Sequence, residues 1–152
     1  MPCFFRELAG GMFDEADLLQ RASELAAFVT AARARYRIAQ PIAVGFSHGA
    51  NMAAALLLLY PNLLAGAILL RPVPPLTRPP EEALSGTPVL LLSGAADTIA
   101  SPAAAATLAL MLRARGAAAT EQVVSGGHDL SQADLSAAYG WMRQNTRFDD
   151  GV

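Results

Sequence analysis

The stretch Pro41-Ile42-Ala43-Val44-Gly45-Phe46-Ser47-His48-Gly49-Ala50 decides how this chain is read. It opens as an apolar run of strand character and continues, from Gly49 to Tyr60, with the character of a helix. Ser47 stands at the junction, with a glycine two residues away on each side. A serine so placed on a strand-to-helix turn is the pattern of a nucleophile elbow. The turn is tight enough that positions 45 and 49 crowd each other, and glycine relieves the crowding because it has no Cβ. The same turn aims the backbone N–H of His48 toward the place where an oxyanion would form. The five-residue pattern arises by chance too readily to stand alone, so its surroundings must decide.

Upstream, Asp14 is placed to cap a helix that runs to about Tyr36, with Leu18, Ala22, Leu25, Val29 and Ala32 on one face at three- and four-residue steps. Downstream, Pro61 stops the elbow helix. Further apolar runs predict buried strands over residues 42–46, 65–70 and 88–93, and a fourth strand over 120–125. A helix is expected over residues 102–115, with Pro102 in its first turn and Gly116 just past its end. Ser131, with Asp134 three residues on, starts a last helix as a capping box would. Leu135, Ala138, Tyr139 and Met142 are expected to form its inner face. Apolar strands alternating with helices indicate an α/β fold, a mostly parallel sheet covered on both faces, as one domain over residues 1–152. The proline-rich connector of residues 71–80 reads equally as a wall over a site or as a stiff surface loop.

Composition narrows the function classes. The 152 residues are 53% hydrophobic and 16% charged, which suits a sizeable core and argues against disorder. The net charge is −2, and all 11 basic residues are arginine. They are scattered, apart from Arg33, Arg35 and Arg37 at the end of the first predicted helix, where positive charge complements the dipole. With no wider basic stripe, no nucleic-acid partner is expected. Cys3 is the lone cysteine, so neither a disulfide framework nor a cysteine metal site is expected. No basic-then-apolar leader is visible, and Tyr60-Pro61-Asn62 interrupts the apolar stretch of residues 50–70. No membrane association is expected, and the default location is cytoplasmic.

Parallel sheets carry their ligands at the carboxyl ends of the strands. Ser47 follows the first predicted strand, Asp97 the third and His128 the fourth. Serine, acid, histidine is the chain order of the hydrolytic triads built on such sheets. The serine hydroxyl is a poor nucleophile until an imidazole takes its proton, and a carboxylate behind the imidazole fixes its tautomer. The two histidines leave His128 and His48 as candidates for the base. His48 adjoins the nucleophile and would point away from the attack line, so His128 is the better placed. Asp129, Asp134, Asp14 and Asp17 rival Asp97 as the acid. Asp129 is too close in sequence to His128 for the required geometry, and the others fall at predicted helix starts. Ser47 also has a plain alternative as the N-cap of its helix.

Gly45-Phe46-Ser47-His48-Gly49-Ala50-Asn51, Gly94-Ala95-Ala96-Asp97-Thr98-Ile99 and Gly127-His128-Asp129-Leu130 resemble the phospholipase/carboxylesterase branch of the α/β-hydrolases. Phe4-Phe5-Arg6, Phe13-Asp14-Glu15 and Leu70-Arg71-Pro72 resemble its bacterial members, including the methylhydroquinone-resistance hydrolases. The resemblance runs over nearly the whole chain. It implies a serine hydrolase of carboxylic esters without metal or cofactor, with Ser47, Asp97 and His128 as the triad. Many relatives have asparagine where His48 stands. Relatives also begin with further strands and a His-Gly-type loop that supplies a second oxyanion N–H. Upstream of the first helix here, Gly10-Gly11 is the only double glycine, and it reads as a turn. The fold is therefore expected to be an N-terminally shortened version of the family's, either as a native short form or as an incomplete reading frame. One oxyanion donor is worth about 10²–10³ in rate.

Shortening would leave residues 42–46 as an apolar open edge, so a homo-oligomer or a covered edge is expected. The leading function is an esterase for small or medium acyl chains, with thioesters and lysophospholipids served by the same chemistry. The alternative from another class is a catalytically weak, hydrolase-like binding domain with an incomplete oxyanion hole. A nucleotide-binding domain would need a phosphate-cradling loop, and no lysine follows Gly49 to complete one.

Overall fold

A computed structural model describes residues 5–6 and 13–146. Cys3 and the Gly10-Gly11 turn lie outside the described residues. The elements are α1 (Glu15–Tyr36), β1 (Ile42–Phe46), α2 (His48–Leu59), β2 (Gly66–Leu70), β3 (Pro88–Gly94), α3 (Pro102–Ala114), β4 (Ala118–Val124) and α4 (Gln132–Asn145). Each start and stop has a local cause. Asp14 accepts a hydrogen bond from the Asp17 N–H at 3.1 Å and so caps α1. Arg37 ends that helix in the left-handed region, φ 53°. Ser101 caps α3 through the Ala104 N–H at 3.2 Å, and Gly116 leaves it at φ +89°. Ser131 and Asp134 form the expected capping box on α4.

The strands are parallel and adjacent in chain order, β1-β2-β3-β4. Phe46 pairs with Leu70, Leu70 with Leu92, and Gly94 with Val124. The chain therefore leaves all four strands along one edge of the sheet. Ala67, Leu69, Val89 and Leu91 point into the larger core layer with residues of α1, α2 and α3. Ile68, Leu70, Leu90 and Leu92 point the other way, against Trp141, Ala137, Ala138 and Met142 of α4. Helices thus cover both faces, as the alternation of elements predicts. Ala50 to Leu58 of α2 are all buried, because that helix is sandwiched between the sheet and α1.

Two expectations need correction. Residues 42–46 form a strand, but only Gly45 of it is buried; Val44 is 58% and Phe46 38% exposed. The cause is its place at the end of the sheet: among the described residues no strand pairs with its outer side. The inner face of α4 is also different. Leu135 and Tyr139 are exposed, whereas Asp134 and Trp141 are buried and Ala138 and Met142 pack inward. Asp134 is drawn inward by an ion pair with Arg71, 2.7 Å and inaccessible to solvent. With Asp134 turned onto Arg71, the same helix presents Ala137, Ala138, Trp141 and Met142 to the sheet.

The elbow is as crowded as its glycines suggest. A Cβ on Gly45 would lie 2.6 Å from the Ala50 nitrogen and closer still to the Gly49 carbonyl group. No flexible side chain is there to yield, so Gly45→Ala must shift backbone. We expect it to lower the unfolding midpoint in urea. Leu91, 1% exposed at the centre of the larger layer, gives a reference for ordinary core damage. Leu91→Ala should cost about 2–5 kcal/mol, read as a lower denaturation midpoint at unchanged slope.

Candidate active site

Ser47 occupies the N-cap position of α2 with φ 52° and ψ −117°, a backbone that non-glycine residues rarely adopt. The strain is held by its surroundings: the Ser47 N–H donates to the Leu70 carbonyl at 2.8 Å, and its own carbonyl accepts from Asn51 N–H at 3.0 Å. As a cap the serine would turn its hydroxyl onto the helix backbone, and it makes no such bond. The hydroxyl instead lies 3.1 Å from His128 Nε2. His128 Nδ1 lies 2.9 Å from Asp97 Oδ2. Since a carboxylate only accepts, the Nδ1 proton belongs in that bond, which leaves the Nε2 lone pair facing the serine O–H.

Asp97 is held from both sides. Its Oδ1 accepts the backbone N–H groups of Ile99 at 2.8 Å and Ala100 at 2.9 Å, so Oδ2 is left to the imidazole. Burial raises its pKa, but those N–H bonds and the His128 contact outweigh it and hold the carboxyl below its ordinary value. The loop after β3 reaches the loop after β4 through Ala95 N–H to Val124 O and Ala96 N–H to Gly126 O. Gly94 permits that approach, because a Cβ there would stand 2.8 Å or less from the Gly126 and Gly127 carbonyl oxygens. The ring of Phe46 packs 5.2 Å from the His128 ring.

The structure thus brings together Ser47, Asp97 and His128 and leaves the other candidates elsewhere. Asp14 and Asp17 are at the start of α1, and Asp129 is exposed beside the histidine. Asp134 starts α4, as expected, but it also carries a buried ion pair that its capping position does not announce. Burial opposes its charge, and the Arg71 and Ser131 hydrogen bonds prevail, so its pKa is lowered. The His48 imidazole is stacked 4.9 Å from the ring of Phe5 and edge-on to Phe13, on neither Asp97 nor His128.

Ser47 opens onto a cavity of ≈ 750 Å³. The proline-rich connector is one of its walls, through Val73, Pro74, Pro75 and Leu76. Sequence reasoning missed what holds that wall in place. Asn51 Oδ1 accepts the Val73 N–H at 2.9 Å, and Glu15 accepts from Thr77 N–H at 2.8 Å. Beyond His48 at its start, Asn51 is the one polar side chain in the apolar α2, and that mismatch was the available signal. Among the described residues no three of His, Cys, Asp and Glu come together as a metal site. None of the described helices is long and apolar enough to cross a membrane.

The sequence pattern of the alpha/beta hydrolase fold matches residues 20–113. MhqD of Bacillus subtilis (strain 168), a hydrolase by name, is 37% identical over 146 residues, which cover 95% of this chain and 73% of that protein. The crystal structure of a Bacillus cereus carboxylesterase superimposes with a TM-score of 0.91 at 36% identity, over 96% of this chain and 70% of that one. A Mesorhizobium loti carboxylesterase gives 0.88 at 29% identity, over 93% and 68%. The chain is short beside these relatives. With its parallel sheet, its glycine-flanked elbow and these matches, the chain belongs to the α/β-hydrolase family.

Proposed function

We propose that this chain is a serine hydrolase that cleaves carboxylic esters through an acyl-enzyme. The supporting observation is the Ser47 hydroxyl, which forgoes its helix-capping bond and faces His128 Nε2 at 3.1 Å. As Ser47 Oγ attacks the ester carbonyl carbon, Nε2 takes the hydroxyl proton and Asp97 stabilises the imidazolium through Nδ1–H. The carbonyl oxygen becomes an oxyanion, and the His48 backbone N–H, at the positive end of α2, stabilises it. Collapse of that intermediate breaks the C–O bond to the alcohol, which leaves with the proton from Nε2. Water then repeats the sequence on the acyl-serine and releases the acid.

The cavity favours small or medium acyl groups. Phe13, Val73, Pro74, Leu76, Ile99 and Met111 give it apolar walls, and its volume suits a ligand of modest size. Carboxylesterases among the solved relatives agree with an ester substrate.

The open side of β1 supports a further part of this reading, a homo-oligomer in which β1 pairs with β1 of a second copy. Among the described residues no strand pairs with this edge, which carries the exposed side chains of Val44 and Phe46, and two identical edges complement each other about a twofold axis.

Three measurements bear on these proposals. The wild type should react with a fluorophosphonate at Ser47 and turn over p-nitrophenyl acetate; Ser47→Ala should do neither, and Asp97→Asn should lower kcat by about 10⁴-fold. A folded wild type inert in both assays would leave only a binding role, and p-nitrophenyl esters run against thioesters and lysophospholipids would rank the substrates. Light scattering should show a dimer that Val44→Lys shifts toward monomer; a wild type monomeric at all concentrations sinks the pairing. Finally, Asp97 and Asp134 have carboxyls lowered by folding, so the stability they contribute is present above about pH 4. It is lost as pH falls through their lowered folded values. Asp134→Asn should flatten that acid limb of the stability curve, and an unchanged limb would contradict the assignment.

A further inference from the structure

Arg71 is the one large charged side chain sealed inside the described structure, with no solvent-accessible side-chain surface. It follows β2 directly, between the strand that delivers Ser47 and the strand that delivers Asp97. Its backbone is in the left-handed region, φ 56°, and its N–H donates to the Leu92 carbonyl at 2.7 Å. A non-glycine residue persists there only when its surroundings determine it. Each arm of the Arg71 guanidinium also has a partner.

The loop after β4 carries His128 and has neither helix nor strand to fix it. Arg71 Nε donates to the Gly127 carbonyl at 2.9 Å, and Nη2 donates to the Asp129 carbonyl at 3.1 Å. These are the residues immediately before and after the histidine. Nη1 and Nη2 also form a two-armed pair with Asp134 Oδ1 and Oδ2 at 2.7 and 3.0 Å. On the same side Nε lies 3.8 Å from Asp97 Oδ2, the oxygen that receives the His128 proton.

We propose that Arg71 is a positioning residue for the proposed general base. It clamps the two carbonyls that bracket His128 and thereby sets the imidazole between Ser47 and Asp97. The inference rests on the hydrolase reading above. A planar guanidinium is suited to the task because its five donors diverge in one plane, so it can hold two carbonyls and a carboxylate at once. A lysine ammonium at the same place would keep the charge and lose the span.

The charge arrangement fits the same role. The groups facing His128 are Asp97, the neighbouring Asp129, the Ser47 hydroxyl and, through the clamp, Arg71 with Asp134. Asp134 neutralises Arg71, so the arginine can hold the loop without opposing the positive charge that His128 acquires during the reaction. Asp97 then remains as the carboxylate hydrogen-bonded to the imidazole.

Three variants test the proposal on p-nitrophenyl acetate turnover across pH, with Ser47 labelling by fluorophosphonate as the control. Arg71→Lys should lower kcat by about 10–10²-fold with KM within about twofold and the acidic limb of kcat/KM unmoved, because charge is kept while geometry is lost. Arg71→Met should lower kcat further and move that limb to higher pH, because Asp134 is left as an unpaired negative charge that favours the imidazolium. Asp134→Asn should move the limb to lower pH, because the Arg71 charge is then uncompensated. A purely structural arginine would lower stability in all three without these opposite pH shifts. Folded Arg71→Lys and Arg71→Met proteins with kcat within twofold of wild type would overturn the proposal. So would losses confined to KM, or Asp134→Asn with an unmoved limb. If Arg71→Met does not fold, the lysine and asparagine variants still decide. A wild type that fails to label at Ser47 overturns the hydrolase reading itself, whereas an active wild type with unimpaired Arg71 variants overturns this inference alone.

Discussion

The structure depends on a near-collision at the elbow. The chain passes from β1 to α2 through one residue, Ser47, and this brings Gly45 against the backbone of Gly49 and Ala50. Only a missing Cβ makes that approach feasible. Because the turn is so short, Ser47 is forced to φ 52° and its side chain is lifted out of the helix-capping position. The same geometry explains why α2 is almost wholly buried: a helix that leaves its strand so abruptly must run back across the sheet, under α1. The elbow therefore sets the place of Ser47 and the centre of the larger core layer together.

A second constraint comes from the opposite direction in the sequence. Two loops must converge on the serine, and neither has regular structure of its own. Asp97 is fixed by two backbone N–H groups from its own turn. His128 has no such local support, and its loop is held by the guanidinium of Arg71, 56 residues away from Gly127 in sequence. Burying that cation is tolerable because Asp134 meets it with both carboxylate oxygens and Ser131 supports the carboxylate in turn. The ion pair also fixes the rotation of α4, so one buried contact orients both a loop and a helix.

Much of this is legible in the sequence. The alternation of apolar runs with helix-forming segments gave the elements to within a residue or two, because capping residues such as Asp14, Ser101 and Ser131 and breakers such as Pro61 and Gly116 act locally. The rotation of α4 was not legible. Leu135 and Tyr139 are the apolar choice by periodicity, and a buried aspartate is the choice only once its arginine partner is known to lie opposite. The exposure of β1 is not written in its apolar pentapeptide, which does not encode its neighbours; the expected open edge came from the resemblance to relatives that begin with further strands.

The sequence by itself determined the elbow, the order serine–acid–histidine and the parallel α/β architecture. Each of these follows from local sterics or from the period of apolar residues. Tertiary structure alone decided that Ser47 faces His128 at 3.1 Å and not its own helix, and that His128 reaches Asp97 at 2.9 Å. It alone gave Arg71 its place beneath them. The physical reason is separation: these contacts join residues 31 to 81 positions apart, and their distances depend on strand register and loop packing. No local pattern in the chain specifies either of those.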